Sequence, residues 1–170
     1  GTVLSQVYFP VTAVVSLVSP MQDGASTEVA VVGREGIVGV CAFMGGGKAL
    51  SSAVVQRAGL AWRMTARDIA DMARDYELVM QQLLRYTQAL ITQISQTAAC
   101  YRHHSVEQQL SRWMLAAMDR APPGELVMTQ ELVAGILGVR RESVTQAAGA
   151  LQDLGYIRYN YLSAPANLYY

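Results

Sequence analysis

The stretch that decides the fold runs from Thr129 to Gly155 and reads TQELVAGILGVRRESVTQAAGALQDLG. Thr129 is a helix-capping residue type, and the apolar residues that follow it at helical spacing stop at Gly138, a residue type that ends helices. A second helical pattern then continues to Gly155. Ala134 is small where two helices would cross, Gly138 follows four residues later, and Val144 comes six residues after that. This spacing predicts a helix-turn-helix whose second helix is free to enter a DNA major groove.

The residues that this pattern leaves off the core face are polar and suit the recognition of bases and phosphates. Arg141 can donate two hydrogen bonds to guanine, Glu142 can accept one from cytosine, and Gln146 can pair with adenine or a phosphate. Thr129 and Gln130 open the first helix, whose N-terminal amides can meet a phosphate. The alternative is an ordinary helical hairpin with a solvated charged run. We expect the DNA-binding residues to be Thr129, Gln130, Arg140, Arg141, Glu142, Ser143, Thr145 and Gln146.

Residues 1–66 have the texture of short strands separated by turns. Ala13–Val18 and Glu28–Val32 are apolar and β-branched, and Ser52–Arg57 and Leu60–Met64 are further short strand-like runs. Between the first two runs, Asp23-Gly24 favours a hairpin turn because both residue types tolerate a positive φ. The pattern predicts a sandwich, roll or barrel. Because strand-like sequence begins almost at Gly1, we expect this domain to be N-terminally incomplete.

Residues 67–101 predict helices. Thr65 can cap a short helix that ends near Arg74, and no Pro or Gly interrupts the longer segment from Glu77 to about Tyr101. Apolar residues recur along the longer helix at heptad-like spacing, which fits either a core-facing side or packing against a second copy. We expect a dimerisation surface made by Met80, Leu83, Leu84, Thr87, Leu90, Ile91, Ile94 and Ala98.

The composition indicates a globular chain with no obvious partner. Of the 170 residues, 13 are Lys or Arg and 13 are Asp or Glu, so the net charge is zero, and 52% are hydrophobic. This excludes a disordered or collagen-like protein and gives no support for nucleic-acid or membrane binding. No apolar run approaches the roughly 18 residues that a membrane span needs, and no signal peptide opens the chain. We therefore expect a cytoplasmic protein without a membrane partner.

The cysteines and histidines predict neither a metal site nor a catalytic one. Cys41 and Cys100 are far apart and form no ligand pair, so each is expected to be a small buried residue in a reducing compartment. His103 and His104 lie near the junction of two helices with no second ligand motif, which favours a polar cap or hinge over a metal or haem ligand.

Three stretches carry a resemblance to a known family. They are Val7–Pro10 followed by Val14–Leu17, then Gly36–Gly39, and finally Leu137–Val144, which is the most specific of the three. With these stretches the chain resembles the Crp/Fnr superfamily of bacterial transcription regulators, over nearly its whole length to about Tyr159. The resemblance implies an α+β fold with a β-roll sensor domain of the cyclic-nucleotide-binding, double-stranded β-helix type, a long dimerisation helix and a C-terminal winged helix-turn-helix. It also implies that Arg141, Glu142 and Gln146 face bases, and that RNA polymerase is a partner.

The chain departs from the family pattern at the positions that bind cofactors. Members that bind cyclic nucleotides carry a Gly-Glu pair for the ribose and an Arg-Ser/Thr-Ala run for the phosphate. Here Gly36-Ile37 and Ser51-Ser52-Ala53 stand at those positions, which disfavours cyclic AMP as the effector. The iron–sulfur members need a cluster of cysteines, which Cys41 and Cys100 cannot supply. The effector is therefore expected to be an unidentified small molecule or another signal.

The leading hypothesis is a homodimeric, sequence-specific DNA-binding regulator that is not an enzyme. We expect a partial β-roll at residues 1–66, connecting and dimerisation helices at 67–101, and a winged helix-turn-helix at 102–170, although residues 160–170 match nothing expected of a wing. One alternative is a cupin-like enzyme, which the absence of histidine from residues 1–66 disfavours. Another is a regulator-derived protein-interaction module that no longer binds DNA.

Overall fold

The computed structural model describes residues 3–21, 26–45, 48–49, 51–120, 125–127, 129–159 and 167–169. The chain forms two compact units, and one long helix contributes residues to both. The first unit comprises Gly1–Pro20 and Val29–Thr97, and the second comprises Met21–Glu28 and Ala98–Tyr170. The hairpin turn predicted at Asp23-Gly24 lies outside the described residues.

Short strands pair in two small sheets near the start of the chain. Their bounds are Gln6–Pro10 (β1), Val14–Pro20 (β2), Ser26–Val32 (β3), Ser52–Arg57 (β4) and Ala61–Thr65 (β5). One sheet pairs β1 with β5 in antiparallel register, and the other has the order β3-β2-β4. Each of the four predicted runs forms a strand, and the β-branched residues of the first two suit a pleated, partly buried surface.

Two helices complete the first unit. Helix α1 spans Ala66–Asp75, and the hydroxyl of Thr65 caps it by accepting a hydrogen bond from the Asp68 amide at 3.0 Å, as the sequence predicts. Helix α2 spans Glu77–His103, slightly longer than predicted. Residues from strands, turns and both helices share one apolar core, whose buried members are Val7, Ile37, Ile69, Ala73 and Leu83.

The second unit packs three further helices around its own core. They are α3 (Val106–Met118), α4 (Gln130–Leu137) and α5 (Arg141–Asp153). Ser105 is the N-cap of α3 and forms a reciprocal capping box with Gln108. The buried core includes Leu110, Trp113, Met114, Val133, Ile136, Val144, Ala147 and Leu151. No helix among the described residues is both long enough and apolar enough to cross a membrane.

Residues 167–169 form a strand, although the sequence of residues 160–170 matches nothing expected of a wing. Strands β6 (Glu125–Val127) and β7 (Arg158–Tyr159) both pair with β8 (Asn167–Tyr169), so that β8 is the middle strand of a three-stranded antiparallel sheet. The pairing of β8 with β6 joins segments about 40 residues apart, which no local sequence pattern predicts.

Candidate nucleic-acid interface

The turn between α4 and α5 has the geometry that the sequence spacing predicts. Ala134 is 6% exposed and Val144 is 3% exposed, and both belong to the core of the second unit. Gly138 ends α4 with φ 66°, in the left-handed region, and the amide of Val139 donates to the Ala134 carbonyl at 3.1 Å. The small residue, the glycine and the buried valine therefore fix how α5 leaves α4.

Helix α5 buries one face and presents a polar face to solvent. Val144, Ala147, Ala148 and Leu151 are buried. On the other side, Arg140, Arg141, Glu142 and Gln146 are exposed, and Ser143 and Thr145 are partly exposed. The polar face begins at the N-terminus of the helix, which is the end that meets base edges in helix-turn-helix proteins.

The two helices of the motif start differently. The hydroxyl of Thr129 accepts from the Leu132 amide at 3.1 Å, so the exposed Thr129 side chain acts as the N-cap of α4. Arg140 occupies the N-cap position of α5 and makes no side-chain capping bond. The first amides of α5 consequently point out of the helix beside two arginine side chains, Arg140 and Arg141, an arrangement that suits an anion.

A hydrogen bond between Gln130 and Arg141, which the sequence does not predict, joins the starts of α4 and α5. The side-chain oxygen of Gln130 accepts a hydrogen bond from Nε of Arg141 at 3.2 Å. Gln130 is the first residue of α4 and Arg141 is the first residue of α5. The matching first-turn positions are visible in the sequence, but the way the turn brings them together is not.

The expected dimerisation residues on α2 divide into two groups. Leu83, Thr87 and Leu90 are buried, and Met80 packs against the core of the first unit. The exposed group consists of Leu84, Ile91, Ile94 and Ala98. One side of the apolar stripe thus packs into the chain's own core, and the four apolar residues on its other side are exposed to solvent.

Gly36 and Ile37 pack against other side chains of the same unit. Ile37 is 3% exposed and lies in the core with Val7 and Ile69. A Cβ atom on Gly36 would lie 2.5 Å from the hydroxyl oxygen of Tyr86, so that ring covers the Gly36 backbone. The residues Ser52 and Ala53 are exposed, and neither carries a charge.

The cysteine and histidine contacts are local. Cys100 is 1% exposed, and its Sγ lies 3.0 Å from Nδ1 of His104, one helical turn away. The backbone carbonyl of His104 accepts from the Gln109 side chain at 2.9 Å, at the junction of α2 and α3. Within the described ranges, no three His, Cys, Asp or Glu residues come together in a way that could hold a metal ion.

Two family models match the two ends of the chain. Residues 108–163 match the Crp-like helix-turn-helix domain, and residues 1–76 match the cyclic nucleotide-binding domain. The chain belongs to the Crp/Fnr superfamily. The predicted α+β fold, with a cyclic-nucleotide-binding-type β-roll and a C-terminal helix-turn-helix, is thereby confirmed. No curated protein is similar enough in sequence to match.

Solved structures of Crp/Fnr regulators share the fold at low sequence identity. FixK2 from Bradyrhizobium japonicum has a TM-score of 0.80 at 17% identity, over 97% of this chain and 82% of that one. TTHB099, a Crp-family regulator from Thermus thermophilus, has a TM-score of 0.78 at 19% identity, over 99% of this chain and 84% of that one. CLP from Xanthomonas campestris, a global regulator described as responsive to c-di-GMP, has a TM-score of 0.70 at 14% identity, over 100% of this chain and 86% of that one.

Proposed function

We propose that this Crp/Fnr superfamily member is a sequence-specific DNA-binding transcription regulator that acts as a homodimer. The observation that carries the proposal is the polar, N-terminal face of α5, held outward by the turn at Gly138 between the buried Ala134 and Val144. Arg141 and Glu142 supply a donor fork and an acceptor for the edges of a G·C pair, and Gln146 lies one turn further along the exposed face. Thr129, Arg140, Ser143 and Thr145 are exposed or partly exposed at the starts of α4 and α5 and suit phosphate and sugar contacts.

The dimer is supported by the uncovered apolar residues of α2. Leu84 is 53% exposed and Ile91 is 51% exposed, seven residues apart on a helix of 27 residues. Contiguous exposed apolar side chains at heptad spacing are typical of a helix that pairs with a second copy. Pairing would set two recognition helices against half-sites about one helical turn of DNA apart.

Further parts of the proposal rest on family membership. A signal received by the first unit would change how the two copies of α2 pair, and RNA polymerase would be the partner of the DNA-bound dimer. The burial of Ile37 and the Tyr86 ring over Gly36 support an effector other than cyclic AMP. Such a regulator acts in the bacterial cytoplasm and catalyses no reaction.

Selection from random duplexes, followed by titration of the selected duplex and a scrambled one at fixed salt, tests DNA recognition. We expect Arg141→Ala to lower the preference for the selected sequence by about 5- to 150-fold for each half-site, since a bidentate pair contributes about 1–3 kcal/mol of discrimination. Arg63→Ala is the matched control, because Arg63 is an exposed arginine on β5 of the first unit. A parent protein that prefers no duplex would overturn the proposal in favour of an interaction module. An Arg141→Ala variant with unchanged preference would overturn the assignment of base recognition to the polar face of α5.

A further inference from the structure

The hydrogen bond between Gln130 and Arg141 links the two helices of the motif through their first residues. Gln130 Oε1 lies 3.2 Å from Arg141 Nε. A guanidinium has five N–H donors in a planar fork, of which Nε carries one and the two terminal nitrogens carry the other four. The contact to Gln130 therefore uses the inner edge of the fork and leaves Nη1 and Nη2 as a pair.

Both partners of this bond stand on backbone that is fixed by other hydrogen bonds. Thr129 accepts from the Leu132 amide with its hydroxyl at 3.1 Å, and its carbonyl accepts from Val133 at 3.1 Å, which sets Gln130 in the first turn of α4. The carbonyl of Arg141 accepts from the Thr145 hydroxyl at 3.1 Å, inside α5. The side-chain bond therefore limits the motion of the guanidinium group, because both of its partners belong to helices rather than to a loop.

We propose that Gln130 is a positioning residue for base recognition: it holds Nε of Arg141 so that Nη1 and Nη2 are presented together to guanine O6 and N7. This inference rests on the proposed function, because it assigns a role within the same DNA-binding surface. An arginine that is already ordered loses less rotamer freedom on binding, which corresponds to a gain of about 2- to 12-fold in affinity for each side chain held.

The chemistry of Gln130 fits this role better than that of a carboxylate. A neutral amide oxygen accepts a hydrogen bond from the Nε–H group and does not offset the charge of the guanidinium. The full positive charge therefore remains for the electronegative edge of guanine and for nearby phosphates. Glutamate at position 130 would pair with Arg141 as an ion and would repel the DNA backbone. Gln130→Glu is therefore expected to bind all duplexes less tightly, even though it keeps the acceptor.

A direct phosphate contact by Gln130 is the competing role, and a double-mutant cycle separates the two. Phosphate contacts weaken binding to every sequence alike, whereas a residue that acts through Arg141 affects only the duplex that Arg141 reads. Gln130→Met keeps the length of the side chain and its helix propensity but removes the acceptor. The cycle comprises the parent, Gln130→Met, Arg141→Ala and the double variant, each titrated on the selected and the scrambled duplex at one salt concentration.

We expect Gln130→Met to weaken binding to the selected duplex by about 2- to 12-fold for each half-site and to leave the scrambled duplex almost unaffected. In the Arg141→Ala background the same change should have no further effect. Equal losses on both duplexes, or a loss that persists without Arg141, would show a phosphate contact and overturn the inference. Unchanged affinity of Gln130→Met for the selected duplex would also overturn it. These outcomes are distinct from failure of the proposed function, in which the parent itself prefers no duplex.

Discussion

Two glycines with the same backbone conformation differ in their surroundings. Gly138 and Gly155 have φ of 66° and 74°, both in the left-handed region. A Cβ atom on Gly138 would lie 2.7 Å from Oγ1 of Thr27, whereas a Cβ atom on Gly155 would meet nothing within 4 Å. At position 155 only the left-handed backbone conformation favours glycine. At position 138 the same conformation favours glycine, and the nearby Thr27 side chain also leaves no room for a Cβ atom.

Alanine substitutions at these positions separate the two requirements. We expect Gly155→Ala to lower the free energy of unfolding by about 1–2 kcal/mol, the cost of a left-handed residue with a side chain. Gly138→Ala should cost a further ~0.5–1.5 kcal/mol, because Thr27 has to leave its rotamer. Urea denaturation of both variants measures the difference, and Thr27→Ala in the Gly138→Ala background should remove it. Equal losses for the two glycines would contradict the steric part of the argument.

At the residue scale, the sequence predicts those features that depend on interactions between neighbouring residues, such as helix caps and helix ends. Thr129 as a cap and Gly138 as a helix end follow from interactions within four residues, and the structure has both. The Gln130–Arg141 bond spans 11 residues and depends on the path of the turn, so no local pattern reports it. The lack of a side-chain cap at Arg140 is visible in the sequence, since arginine is not a capping residue type.

At the element scale, α2 illustrates the limit of a periodic pattern. Helical spacing identifies one apolar stripe, but it does not tell which members pack against the same chain. In the structure Leu83 is 7% exposed and its neighbour Leu84 is 53% exposed. The division depends on where the sheets and α1 lie, which is a property of the folded unit and not of the helix sequence.

The exposed part of that stripe leads to a prediction about oligomeric state. We expect Ile91→Glu to convert the dimer to a monomer, because two carboxylates would face each other across an apolar helix pair. Gln96→Glu adds the same charge at an exposed position on another side of α2 and should leave the dimer intact. Light scattering after size-exclusion chromatography gives the molar mass of each variant. A monomeric parent, or a dimeric Ile91→Glu variant, would rule out this interface.

The end of α2 is tied to α4 inside the second unit by one tyrosine. The hydroxyl of Tyr101 lies 3.2 Å from the Glu28 carbonyl and 3.2 Å from the Ile136 carbonyl, and its single proton serves one of them at a time. Burial, reinforced by the charge of Glu28, raises the pKa of this hydroxyl well above its usual value, so it remains a donor. Tyr101 thereby fixes the last turn of α4, which leads into the recognition helix.

Removing that hydroxyl should destabilise the second unit. We expect Tyr101→Phe to lower the free energy of unfolding by about 1–3 kcal/mol, since it leaves partly buried carbonyls without their donor. Tyr156→Phe removes the same atom from a side chain that is 69% exposed and serves as the matched control with little expected effect. Thermal or urea unfolding of the two variants provides the comparison. A Tyr101→Phe variant as stable as the control would show that the hydroxyl contributes nothing to the unit.

At the scale of the whole molecule, zero net charge is compatible with DNA binding if few phosphates are neutralised. Within residues 129–159, Arg140, Arg141 and Arg158 balance Glu131, Glu142 and Asp153. A neutral surface of this kind attracts DNA weakly and non-specifically, so affinity has to come from base contacts, helix N-termini and the doubling of both in a dimer. Composition alone therefore could not exclude the function, since the decisive residues are few and lie on one helix face.

This charge balance sets the expected response to salt. If Arg140 and Arg158 of each protomer meet phosphates, the dimer neutralises about four, and the logarithm of the binding constant should fall with the logarithm of salt concentration at a slope of about −4. Arg140→Ala removes two of these contacts per dimer and should make the slope less steep by about 2 units. Titrations of the selected duplex over a series of salt concentrations measure both slopes. A parent slope steeper than about −8 would require about twice as many phosphate contacts and would contradict the expectation that Arg140 and Arg158 supply most of them.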